Sequence, residues 1–214
     1  MPTAKPAKRK SRKPALRNAP IQERAVQTRD RILDIAGELL GEVGIERIST
    51  NMIAAHAGVS PAALYRYFKD KYAVLEALGR RLMDRQNAVL FAWLEENKHS
   101  LDALAAGTED LLRATTDVTD SEPGGVWILR AMRAVPQLTH VRLESHHEVT
   151  DAMLEVYAPL LPKMSKRVLW RRLRMTVEFG YAVDEMLHDE DRFTRHEIFR
   201  DASHLLSTSR LEDE

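Results

Sequence analysis

The stretch that most constrains this chain runs from Thr50 to Lys71, TNMIAAHAGVSPAALYRYFKDK. Its start and stop signals predict two short helices joined by a tight turn. Ser49 or Thr50 can cap the first by accepting a bond from an orphan amide. Ile53, Ala54 and Ala57 give that helix an apolar face. Gly58 stops it, because a glycine enters the left-handed region without steric cost. Val59 plugs the turn and Ser60 caps the second helix. Pro61 takes the first helical position, where a missing N–H does no harm. Leu64 and Phe68, four apart, face inward, which leaves Ala62, Ala63, Tyr65, Arg66 and Tyr67 to point elsewhere. Asp70 caps a further helix beginning at Lys71. This is a helix-turn-helix pattern, whose second helix is the one that enters a DNA major groove. That helix carries no acid. Small residues at its N-terminal end allow close approach to base edges, and the two tyrosines and lysine that follow can donate to phosphates.

The segment LLGEVGIERIST, followed by IAAHAGVSPAALYRYFKDKYAVLEAL, resembles the DNA-binding domain of the TetR family of bacterial transcriptional regulators. The resemblance is continuous from about Thr28 to Leu78, about a quarter of the chain. It implies phosphate contacts at Thr50, Tyr65, Tyr67 and Lys71, and base contacts from Asn51, Pro61, Ala62 and Ala63. Relatives often carry Arg where this chain has Asn51. Beyond residue 80 the resemblance is one of architecture, a helical domain that binds a small-molecule effector and dimerises. It implies a homodimer on a double-stranded DNA operator.

Charge is divided unevenly along the chain. The formal net charge is zero, yet residues 1–75 hold 14 Lys and Arg against 7 Asp and Glu, and the remainder 18 against 25. Such asymmetry suits a protein that grips a polyanion with one end only. Residues 1–20 are the extreme case, with Lys5, Lys8, Arg9, Lys10, Arg12, Lys13 and Arg17 among alanines and prolines. They are expected to form a disordered basic arm, tracking DNA on one reading and merely solubilising the chain on the other. Residues 21–75 would form the DNA-binding domain and residues 76–214 the effector-binding and dimerisation domain. No run of eighteen apolar residues suggests a membrane span. The basic N-terminus lacks the apolar segment of a secretory signal. The chain has no cysteine, which excludes disulfides and thiolate metal sites and fits a cytoplasmic location.

The fold class is all-α. A first helix is expected from about Gln22 to Val43, with Ile32, Ile35, Ala36, Leu39 and Leu40 inward and Gly44 as its stop. A long fourth helix follows from Lys71 to about Asn97. Five more segments are expected at 101–118, 124–134, 137–160, 165–188 and 193–209, punctuated by Pro and Gly. In the penultimate segment Leu169, Leu173, Thr176, Gly180, Val183 and Leu187 form a stripe, and in the last Ile198, Ala202, Leu205 and Ser209 do the same. These two stripes resemble the helix pair that dimerises TetR regulators as a four-helix bundle. They would equally serve to close the monomer core.

Candidate chemistry is sparse. Trp127, Met132, Met153, Tyr157, Met175 and Phe179 are large or soft side chains that can line an apolar effector cavity, although such residues are more often packed core. His140, Glu144 and His147 share one helix face, and a divalent transition metal would suit them. Charge runs at this spacing are usually a solvated face, so no metal and no cofactor is expected. His146 points away from that face and can face the core. No nucleophile–base set, phosphate loop or paired-acid geometry stands out, so an enzyme is not expected. The chain reads as a ligand-responsive transcriptional regulator, most simply a repressor released from its palindromic operator by an effector. The alternative is a nucleoid or accessory DNA-binding protein without a small-molecule effector.

Overall fold

The computed structural model describes residues 19–207. The arm read in residues 1–20 therefore lies almost wholly outside the described residues, as does Ser209. Among the described residues the chain is helical, with no strand. Helices α1 (Ala19–Arg47), α2 (Thr50–His56) and α3 (Pro61–Tyr65) are followed by the long α4 (Lys71–Asn97). Then come α5 (Leu101–Ala106), α6 (Thr108–Ser121), α7 (Gly125–Ala134), a 3-10 turn at Pro136–Leu138, α8 (Thr139–Leu160), α9 (Lys166–Asp189) and α10 (Arg195–Leu206).

The helix starts are set by local chemistry. Ser49, Ser60, Asp70, Ser100, Ser165 and Thr194 each accept a bond from an amide in the first turn that follows. Each such cap is worth about 1 kcal/mol. Thr194 and Glu197 add a reciprocal capping box. Gly44, at φ 75°, breaks α1 near the expected stop, leaving one further turn to Arg47. The segment expected at 101–118 is two helices, α5 and α6. They separate at Gly107, whose carbonyl accepts the Trp93 indole N–H at 2.9 Å.

Three apolar clusters hold the chain together. The first starts in α1 with Ile32, Leu33 and Leu40, takes in Ile53 and Leu64, and continues along α4 through Leu78 and Met83 to Ile128 and Met132 of α7. The second joins Trp93 and Leu94 of α4 to Leu104, α8 and α9. The third packs Ile198, Phe199 and Ala202 of α10 on Leu112 and Leu187. Helix α4 thus takes part in two of the three clusters. Displacing it disturbs both ends of the molecule.

Candidate nucleic-acid interface and ligand cavity

The helix-turn-helix is built as its residues dictate. Ser49 Oγ accepts from Met52 N at 3.3 Å and Ser60 Oγ from Ala63 N at 3.2 Å. Gly58 adopts φ 64°, which allows the chain to reverse between α2 and α3. Leu64 and Phe68 are buried beneath α3. Burying a leucine or phenylalanine side chain stabilises by roughly 1.5–3 kcal/mol, which fixes the angle at which α3 leaves the domain. On the outer side Asn51, Pro61, Ala62, Tyr65 and Arg66 are exposed, and Thr50 and Ala63 are partly so. Thr50 Oγ1 and Tyr65 Oη lie 3.0 Å apart, joining the start of α2 to the end of α3. Two residues depart from a simple outward arrangement. Tyr67 is half-buried against the first cluster. Lys71 turns its ammonium to the carbonyls of Ile45 and Ile48, at 3.1 and 3.5 Å, tying α4 to the turn after α1.

A cavity of about 100 Å³ lies where α4, α6, α8 and α9 converge. Leu90, Trp93, Val149, Met153, Tyr157, Leu173 and Val177 supply most of its wall. Its polar part includes Gln86 of α4 and Asp184 of α9, both buried, with Asn87, Thr108, Thr115 and Thr176. Gln86 and Asp184 are linked through α6. Gln86 Nε2 donates to Thr119 Oγ1 at 2.9 Å, and that hydroxyl donates to Asp184 Oδ2 at 2.8 Å. Burial pushes the Asp184 carboxyl up, opposed by the hydroxyls of Thr119 and Thr116.

Three residues beyond Thr119, the loop from α6 to α7 meets the DNA-binding end. The Glu122 carboxylate is buried and paired with Arg81 and Arg85 of α4. Arg81 also reaches Asp34 of α1 at 2.8 Å. A Cβ placed on Gly37 of α1 would lie 2.1 Å from the Pro123 carbonyl oxygen, so helix and loop touch backbone to backbone. The cavity and the helix-turn-helix are joined by this short route and by α4 itself.

Comparison with known proteins agrees with the geometry. A family model described as bacterial regulatory proteins, tetR family, matches residues 32–78. The N-terminal domain belongs to the TetR family. The chain is 32% identical over 111 residues to the nucleoid occlusion factor SlmA of Pasteurella multocida, covering 51% of this chain and 54% of that one. It is 45% identical over 51 residues to an HTH-type transcriptional regulator of Staphylococcus aureus, covering 24% and 28%. The chain therefore spans about half the length of the SlmA relative, and less of the other. A TetR-family regulator from Shewanella sp. PV-4 superposes with a TM-score of 0.67 at 18% identity, covering 85% of this chain and 97% of that one. A transcriptional regulator from Pseudomonas aeruginosa PAO1 gives 0.70 at 14%, covering 87% and 92%. These likenesses establish the TetR fold over the helical domain as well. Residues 32–78 match the TetR family model, and the chain as a whole has the TetR fold.

On this TetR frame several residues sit elsewhere than the sequence suggested. Of the six candidate cavity residues, Met153 and Tyr157 line the cavity. Met132 packs in the first cluster, and Trp127 lies outside with the Arg130 guanidinium 4.8 Å from its ring. Met175 and Phe179 are exposed, at 55% and 57%. They point away from the cavity because they fall on the opposite face of α9. The stripes read as the dimer surface are turned mostly inward, Leu205 excepted. Leu169, Leu173 and Leu187, with Ile198 and Ala202 of α10, are buried within one chain. The apolar face left open on α9 is Met175, Phe179, Ala182 and Met186, spaced four, three and four. Of the candidate metal face, His140 Nε2 lies 3.3 Å from Glu76, Glu144 takes Arg80 at 2.9 Å, and His147 tilts against Trp170. Among the described residues no group of three metal-binding side chains forms.

His146 is fully buried, stacked on Tyr181 with ring centroids 4.4 Å apart. Its Nδ1 lies 3.3 Å from Glu178, which also takes Arg133, Arg142 and Arg174. Burial and the Arg174 charge push the imidazole down to about 3. Sequence reading gave no site role to Gln86, Thr119, Glu122 or Asp184, Glu122 being taken only as part of a loop. Gln86 and Asp184 carry a legible signal, since each is a polar residue in the inward register of an otherwise apolar helix face.

Proposed function

We propose that this TetR-family protein is a cytoplasmic, ligand-responsive regulator, most simply a repressor. It binds a palindromic operator as a dimer and leaves it when an effector fills the cavity. The observation that carries this reading is the cavity's position, with Thr119 bonded to Gln86 and Asp184 of its polar wall and Glu122 three residues further on. Occupancy can therefore act on α4 and α1 at once. Asn51 and the Pro61 to Ala63 turn would read bases, while Thr50, Tyr65 and Tyr67 would hold phosphates. Lys71 would do so while also bracing the end of α1, since an ammonium has three donors.

Dimerisation would use the open face of α9, Met175, Phe179, Ala182 and Met186, extended by the exposed Leu205 of α10. An apolar row of this length is unusual on a surface left to water. The DNA-binding arrangement follows from symmetry, with two recognition helices one turn of DNA, or a multiple, apart.

The 32% identity with SlmA favours a second reading, a nucleoid-associated protein that needs no effector. Two measurements separate the readings. Selection of duplexes from a random pool should enrich a palindrome, and compounds that stabilise the protein should weaken that complex. Because coupling is reciprocal, operator must weaken the compound's binding by the same factor. Enrichment of a palindrome that no stabilising compound releases would favour the second reading.

A further inference from the structure

The polar inventory of the cavity says what kind of molecule completes it. Most of its donors are already engaged. The Thr115 and Thr176 hydroxyls bond to carbonyls of their own helices, and the Thr108 hydroxyl to the Leu104 carbonyl of α5. The Trp93 indole donates to Gly107, and Asn87 is held by Ser145 and Glu148. The Tyr157 hydroxyl can donate or accept and so follows whatever it meets. Two buried oxygens remain without a hydrogen-bond partner, Asp184 Oδ1 and Gln86 Oε1, and both are acceptors. The Thr116 hydroxyl, like that of Thr119, stabilises the Asp184 carboxylate, whose Oδ1 is still left without a partner. The Gln86 amide is oriented by its own donation to Thr119, which leaves its oxygen as the unpaired end.

No lysine or arginine lines the cavity. His188, the basic group that acts on Asp184, is turned to Asp120, its Nε2 2.9 Å from that carboxylate. A buried carboxylate with no cation beside it is costly, and a cationic donor removes the cost. The aromatic faces of Trp93 and Tyr157 favour the same charge. We propose that the effector is a small lipophilic amine, an apolar body of about one ring whose protonated nitrogen bonds to Asp184 and Gln86. Carboxylates are excluded as the tight-binding class, because a second anion beside Asp184 would be repelled. This inference rests on the reading that the cavity holds the effector. It also supplies the trigger. An ammonium on Asp184 Oδ1 draws charge from the carboxylate whose Oδ2 holds the Thr119 hydroxyl, weakening that bond at the end of α6 just before the Glu122 pairs.

The size fits a single ring. An engineered cavity of about 150 Å³ in another protein accepts benzene, and this one, at about 100 Å³, needs only modest side-chain movement to do so. Gly180 supplies a control for location. A Cβ there would meet nothing closer than Leu112 Cδ2 at 3.9 Å, so Gly180→Leu projects into open space from a helix that gains propensity.

The test uses the full chain and three compounds of one shape, 2-phenylethylamine, 2-phenylethanol and 3-phenylpropionate, titrated by calorimetry. The amine should bind at least about tenfold more tightly than either of the others. Asp184→Asn should remove that preference, and Gly180→Leu should remove binding of the amine while the protein stays folded. If the alcohol or the acid binds as well as the amine, and Gly180→Leu blocks it, the cavity is an effector site but the ligand class is wrong. If the amine still binds to Gly180→Leu, its site lies elsewhere and the proposal falls. If none of the three binds at millimolar concentration, the proposal falls, whereas the effector reading of the cavity is decided by whether a stabilising compound releases operator.

Discussion

Replacing Gly37 by alanine should separate the two ends of the molecule, and the structure sets the scale. The added Cβ would sit 2.1 Å from the Pro123 oxygen and 2.9 Å from its carbonyl carbon. Reaching even 3.0 Å from that oxygen requires a shift of about 0.9 Å between α1 and the loop. The loop is poorly placed to yield. Gly124 beside it is left-handed, and its own Cβ position lies 2.1 Å from the Gly37 oxygen. Glu122 is held by two arginines of α4. Overpacking of this kind costs about 1–3 kcal/mol. Alanine recovers up to about 1 kcal/mol of that through its helix propensity. Gly41, one turn further along α1, is the internal control. Its Cβ would meet only the Trp127 ring, at 3.3 Å, and that side chain is exposed and free to move. Gly41→Ala should therefore be neutral or stabilising by up to about 1 kcal/mol. Urea denaturation at one fixed protein concentration compares the pair, with unchanged m values as the condition for reading the midpoints as stability. Gly37→Ala should be the less stable by about 2 kcal/mol, the overpacking cost set against propensity gained in both. A Gly37→Ala protein as stable as Gly41→Ala would refute the backbone contact, and with it the route from Glu122 to α1.

Three further outcomes follow from the same geometry. Phe179→Asp should convert the dimer to monomer without loss of helix content, as seen by light scattering and circular dichroism, whereas Leu173→Asp should unfold the chain; a dimeric Phe179→Asp would place the interface elsewhere. His146, depressed to about 3 in the fold against 6.5 when unfolded, takes up its proton more readily in the unfolded chain, so stability should fall as pH drops through and below 6.5. Between pH 6.5 and 4.5, above the usual carboxylate range, His146→Phe should flatten that dependence, and equal slopes would count against the buried neutral imidazole. Lys71→Ala should weaken binding to every duplex alike and also lower stability by about 1 kcal/mol through the lost bond to the turn after α1; altered base preference with full affinity would contradict its positioning role.

The helix-turn-helix was legible because its determinants are local. Ser60, Pro61, Gly58 and Asp70 act on backbone within a few residues, and their preferences survive any tertiary context. The faces of α9 were not legible for the opposite reason. Helical periodicity reveals that Leu169–Leu173–Leu187 and Met175–Phe179–Met186 are both apolar rows, but not which neighbour covers each. Only the positions of α6 and α8 decide that the first row is core, and Met175 and Phe179 of the second were mistaken for cavity wall in consequence. Polar residues in a core register offered a better guide than the aromatics. Gln86 and Asp184 interrupt buried faces of α4 and α9, where an unpaired polar group is tolerated only with a reason. The Gly37–Pro123 contact had no sequence signal at all, since it depends on the approach of two segments far apart in the chain.

The most direct test of the central claim, that an occupied cavity releases DNA, is fluorescence anisotropy on the selected palindromic duplex. Wild type and Gly180→Leu are titrated with and without a saturating compound shown to bind the cavity. The account predicts that both proteins bind the duplex tightly, and that the compound weakens wild type at least about fivefold, the lower end of ordinary allosteric coupling. Gly180→Leu should be unaffected. Equal operator affinity of wild type with and without a cavity-bound compound would contradict it.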